Sequence, residues 1–134
     1  MAHYFVPVIL PFGTPDNTES KLSALETLMN PHEGEEWDWY NVGGRWEGVI
    51  LGKSVCDFCY NGVEEQEQIA NNCTVANLLI KQLEQEIDQK NTVIPHFLVT
   101  PDGQWLCNDS DRDMYLSVLS EYPDCFVVGV DVHN

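Results

Sequence analysis

Positive charge is what this chain has least of. Its 134 residues include only six lysines and arginines, against 22 aspartates and glutamates, for a formal net charge of −16. Such a balance argues against direct binding to nucleic acid or to an anionic membrane, because phosphate contacts need lysine and arginine to displace counterions. A field of this sign attracts basic partners and speeds encounter with them. It is equally compatible with acidity that serves solubility alone, since net charge governs solubility and association rather than fold.

Other absences narrow the field further. The apolar run YFVPVIL at 4–10 is too short to span a bilayer, contains Pro7 and follows no basic segment. It therefore reads as neither signal peptide nor membrane anchor. Five cysteines, an odd number, suit a reducing compartment better than a disulfide framework, and a cytoplasmic location is expected. There is no internal repeat, no low-complexity tract and no interior linker long enough to split the chain. G-x-S-x-G, Walker A, H-E-x-x-H and G-x-G-x-x-G are all missing, so no enzyme signature and no cofactor are indicated.

What is present suffices for one folded domain over 1–134. The hydrophobic fraction is 43%, and a chain of this size buries roughly two thirds of its unfolded surface. Tyr4 to Leu10 reads as a buried strand closed by Pro11 and Gly13. Leu22, Leu25, Leu28 and Met29 recur at helical spacing until Asn30-Pro31. WDWYNVGGRWEGVIL looks extended, with its glycine pair as a bulge and Trp37, Trp39 and Trp46 sharing a face. Residues 52–72 read as polar and irregular. Thr74 can cap a helix striped by Val75, Leu78, Leu79, Leu83 and Ile87. Pro101-Asp102-Gly103 marks a hairpin between apolar runs. Ser110 and Asp113 start a short helix to about Leu119, and CFVVGVDV is a last buried strand. The order β-α-β-α-β-β-α-β predicts an α+β domain. It would have one mainly antiparallel sheet with helices on one face, related to ferredoxin-like split β-α-β arrangements.

Laid out this way, the blocks HYFVPVIL, WDWYNVGGRWEG, LVTPDGQW and VVGVDVHN resemble a family of uncharacterised small proteins of bacteriophages and related mobile elements. They cover about a third of the chain. The final block reads VDVHN where the family pattern has a cysteine before the histidine, and the spacing between blocks is shorter. The resemblance implies a phage setting, hence a host-cell cytoplasm, and a fold, but no mechanism. Small phage accessory proteins often act on host defence.

The tryptophan block admits two main readings, beside a third as a protein-interaction hot spot, where Trp, Tyr and Arg are enriched. As a ligand site, the glycines let backbone amides turn toward an anion, Arg45 supplies charge and a planar fork, and the indoles stack on a base. Trp37, Trp39, Tyr40, Gly43, Gly44, Arg45 and Trp46 would then form a nucleotide or cyclic-nucleotide pocket. As core, the aromatics pack the sheet, the glycines turn the strand, and Arg45 pairs with a carboxylate such as Asp38 or stacks on Trp46.

Three further constellations carry candidate chemistry. Cys56 and Cys59 form a C-x-x-C that Cys73, Cys107 or a histidine could complete as a zinc site. Asp131 and His133 lie two apart on a strand, on one face, in an arrangement fit for acid–base work or for binding a metal, although so close to the last residue of the chain that fraying is expected. His3, His32 and His96 have no partner at ligand spacing and read as ordinary residues.

Acids cluster at Glu33, Glu35 and Glu36, at Glu64, Glu65 and Glu67, and at Glu84, Glu86 and Asp88. Spaced carboxylates of this kind can imitate a phosphate backbone and occupy a nuclease's basic groove, although charge runs are usually solvated faces. Two functional classes follow. One is a non-enzymatic acidic inhibitor of a basic host protein, in the manner of anti-CRISPR or anti-restriction proteins. The other is a nucleotide-signal binder or hydrolase built on the tryptophan block.

Overall fold

A computed structural model of the chain describes residues 3–55, 64–85 and 93–134. Two long apolar strands form its spine. β1 (His3–Ile9) pairs antiparallel with β6 (Phe126–His133) along its whole length, from His3 opposite His133 to Ile9 opposite Val127. Neither strand alternates apolar with polar. Val6, Val8, Val128, Val130 and Val132 are buried on one side, while Phe5, Ile9 and Val127 are buried on the other. Uninterrupted apolar strands need cover on both faces, and both faces are covered.

On the first face lie α1 (Thr18–Met29) and α2 (Glu65–Asn72), which bury Leu25, Leu28, Met29 and Ile69 against the valines. α1 is capped by the Asn17 side chain, which accepts from the Ser20 amide and so satisfies one of the helix's unpaired donors. On the opposite face lie α3 (Ala76–Gln85) and α4 (Arg112–Ser120), which bury Leu79, Leu83, Tyr115 and Leu119.

The sheet order is β2-β6-β1-β4-β5, with β2 (Trp39–Val42), β4 (Phe97–Val99) and β5 (Trp105–Cys107). A sixth strand, β3 (Cys73–Val75), pairs with the start of β6, while β2 pairs with its end. Only β1 and β4 run parallel. The chain is thus α+β with a mainly antiparallel sheet, as the patterning predicts. The helices lie on both faces of the sheet rather than on one, because the central strands carry apolar side chains on both sides, and a ferredoxin-like layout is not established.

Several local expectations also shift. Asp111 caps α4 in place of Ser110, accepting from the Met114 amide. Thr74 sits in β3, and the helix begins at Ala76. Residues 65–72 form α2 where an irregular stretch was expected. The extended reading of 37–51 shrinks to the four residues of β2, followed by 3₁₀ turns at Gly44–Trp46 and Val49–Leu51. The hairpin turn at 101–103 is present, with Gly103 at φ +88° donating to the Thr100 carbonyl.

Among the described residues no helix is long and apolar enough to cross a membrane. Leu25→Ala, at the buried contact of α1 with the sheet, should lower unfolding free energy by about 2–5 kcal/mol in urea denaturation. Exposed Ser117→Ala on α4 should change it by less than about 0.5 kcal/mol.

Candidate functional site

The glycine pair follows directly on β2. Gly43 keeps one more ladder bond, donating to the Gly129 carbonyl at 2.9 Å, and the chain then turns away from the sheet. Both glycines have positive φ, +76° and +51°, a region open to glycine and costly to other residues. Each is also a point of close approach. A Cβ on Gly43 would overlap Glu47 and Asn72, and one on Gly44 would stand 2.5 Å from Asp131 Oδ2. The pair therefore makes room for two buried carboxylates of the protein itself.

Glu47 lies against amides. Asn72 Nδ2 donates to it at 2.8 Å and Asn71 Nδ2 at 3.2 Å, while the Gly48 amide donates to Asn72 Oδ1 at 2.8 Å. Asp131, on the central strand and 3% exposed, is held from two sides. The Arg45 backbone N–H donates to its Oδ2 at 2.9 Å, and the His3 ring nitrogen Nδ1 lies 2.9 Å from Oδ1. A buried carboxylate is costly unless its lone pairs meet donors, and here both oxygens meet one.

His133 repeats the arrangement one step along the strand. Its Nδ1 lies 2.6 Å from Asp38 Oδ1, and this hydrogen bond holds the Asp38 carboxyl below its ordinary value. Trp39, His133 and His3 stand in one row across β2, β6 and β1. The Trp39 indole stacks on the His133 ring at 4.8 Å and 9°, and His3 sits edge-on to both, 5.5 Å from Trp39 and 5.2 Å from His133. A carboxylate only accepts, so each Nδ1 is the donor, and in the neutral ring Nε2 then keeps its lone pair. Two oriented imidazoles with bare Nε2 atoms are chemically able to take a proton or ligate a cation.

This cluster is drawn from three of the quoted sequence blocks, at His3, at Asp38 and Trp39, and at Asp131 and His133. The spacing of Asp131 and His133 correctly put both on one face, and β6 is central and ordered to His133. His3 read as an ordinary residue, because its partner lies 128 positions away. The signal available was its place at the head of a buried strand.

The seven residues nominated as a nucleotide pocket do not face one space. Trp37 is buried in the core beneath α1, donates its indole N–H to the Met29 carbonyl at 2.9 Å, and meets Tyr40 edge-on. Trp46 packs toward Phe5 on the other side of the sheet. The indoles therefore do not share a face. Asp38 pairs with His133 rather than with Arg45. The Arg45 side chain is exposed and has no hydrogen bond or ion pair among the described residues. Its backbone amide, the donor an anion would have used, is already taken by Asp131.

Cys56, Cys59, Glu86 and Asp88 lie outside the described residues. Cys73 on β3 and Cys107 on β5 are separated by three intervening strands, roughly 19 Å at ~4.8 Å per strand, so they cannot complete one zinc site together. Burial pushes the Cys73 thiol up. Among the described residues no three His, Cys, Asp or Glu side chains group to hold a metal ion.

The nominated acids divide. Glu33, Glu35, Glu36, Glu64, Glu65 and Glu67 belong to the α1 and α2 side, and Glu84 lies on α3 across the sheet. On the first side, Lys21 is buried and paired with Asp16 at 2.7 Å. The exposed cations Arg45, Lys53 and Lys81 sit in or beside elements packed on the second core. Between α1 and α2 lies a cleft of about 780 Å³ with Glu19, Glu26 and Glu65 on its walls.

No protein-family model, curated protein or solved structure matches the chain. What fold and site define is an acidic α+β domain with paired histidine–aspartate couples at one end of its central strands.

Gly44→Ala should cost more than about 2 kcal/mol of stability, from left-handed strain plus displacement of Asp131. Gly34→Ala, at φ +86° with nothing within 4 Å, should cost only the conformational share of about 1–2 kcal/mol. Arg45→Ala should change stability by less than about 0.5 kcal/mol, because its side chain is exposed and makes no hydrogen bond or ion pair among the described residues. Thermal or urea unfolding of the three variants tests the set.

Proposed function

We propose that the protein is a non-enzymatic binder of a basic protein surface. In the phage setting implied by the sequence resemblance, the partner is a host nucleic-acid-handling defence effector whose phosphate-binding groove this domain occupies. The observation that carries the reading is the acidity of the cleft between α1 and α2, whose walls hold Glu19, Glu26 and Glu65 while Lys21 of α1 is paired with Asp16. A net charge of −16 steers a basic partner over distances beyond contact, while fixed carboxylates on two helices set the register. The alternative, a nucleotide pocket at the tryptophan block, has less support, since Trp37 and Trp46 pack into separate cores and Asp131 occupies the amide.

Immobilised protein should capture basic, nucleic-acid-binding proteins from bacterial lysate at low salt and release them as salt rises, because exposed charge pairs are screened within about 10 Å at 0.1 M. The Glu19→Gln/Glu26→Gln/Glu65→Gln variant should lose that capture while keeping its melting midpoint. Capture that ignores both salt and the substitutions would overturn the reading. A nucleotide that raises the melting midpoint, in a manner dependent on Arg45, would put the alternative in its place.

A further inference from the structure

We propose that His3 and His133 together bind one divalent transition-metal ion of the zinc type through their Nε2 atoms. This inference is independent of the acidic-surface reading. Both rings have the orientation that metal-ligating histidines show, with Nδ1–H committed to a carboxylate and Nε2 left bare. Neither Nε2 makes a hydrogen bond among the described residues, although the His133 residue is only 7% exposed.

The separation fits as well. Two imidazoles on one tetrahedral ion, with metal–nitrogen bonds of ~2.0–2.1 Å and ring centres ~1.1 Å beyond each nitrogen, place their centroids roughly 5.2 Å apart. The observed separation of the two rings is 5.2 Å. They are direct cross-strand neighbours, so the backbone holds that spacing before any ion arrives.

Charge selects a cation over an anion. Asp131 and Asp38 place two carboxyl groups behind the rings, within a molecule of net −16. An anionic substrate meets repulsion there, and a cation meets attraction. Imidazole pairs suit zinc, nickel and copper rather than magnesium or calcium, which prefer oxygen. Two of four positions remain for water or an incoming ligand. The Trp39 side chain, in a residue 41% exposed, stacks on one face of His133.

The test is calorimetric titration of the untagged full chain with Zn²⁺ in a Cys56→Ser/Cys59→Ser background, which removes the competing thiols. One ion per chain should bind and raise the melting midpoint. His3→Ala and His133→Ala should each abolish that heat. Asp38→Asn should weaken zinc by about 10–100-fold, read against that variant's own metal-free melting midpoint. If His133→Ala does not fold, His3→Ala and Asp38→Asn decide the question. The proposal fails if zinc gives neither heat nor a melting shift in that background, or if affinity survives the loss of His3.

Discussion

The structure depends on one buried carboxylate. Asp131 sits in the central strand of the sheet, almost out of contact with water, with the Arg45 amide on one oxygen and the His3 ring on the other. An ionised group in such a place is tolerable only where donors surround it. That requirement reaches well beyond the residue itself. It calls for a chain segment whose backbone can come within hydrogen-bonding distance of β6, which only a residue without Cβ permits, and Gly44 is that residue. It also calls for a donor on β1, and His3 supplies one.

Much of the tryptophan block follows from this constraint. β2 ends at Val42 because the next two residues must turn over carboxylates. Gly43 clears Glu47 and Asn72, which tie the turn to α2, and Gly44 clears Asp131. The aromatic residues then go where the turn sends them. Trp37 enters the core under α1, Trp46 enters the opposite core, and Trp39 stays at the sheet end as the lid on His133. A motif that resembles a ligand pocket on paper is, in three dimensions, largely the packing around two internal anions. The group left over, in which His3, His133, Asp38 and Trp39 gather, is where chemistry remains possible.

The distribution of charge has a similar logic. Cations are few, and Lys21 on α1 is spent internally: it lies over the Phe126 ring at 4.2 Å and pairs with Asp16. The same scarcity that keeps the α1–α2 cleft acidic makes the molecule as a whole attractive to cations, large or small.

Patterning in one dimension was enough for the elements whose signal is local. Leu22 through Met29 marked a helix, the turn at Pro101 to Gly103 marked a hairpin, and the valine-rich runs marked buried strands, because each depends on spacing that neighbouring residues share. Those runs also held the fact that both sheet faces are covered, although the helices were assigned to one. α2 is not legible in the sequence because six polar residues around a single Ile-Ala pair have almost no periodic signal, and packing against α1 and the sheet makes them a helix. The histidine–aspartate couples could not be read at all from one dimension, since His3 and Asp131 stand 128 residues apart and His133 and Asp38 stand 95 apart. Composition by itself determined that this protein is acidic and has a core. Only the pairing of the first strand with the last decided which of its charges face each other, because register across a sheet is a property of tertiary contacts and not of spacing along the chain.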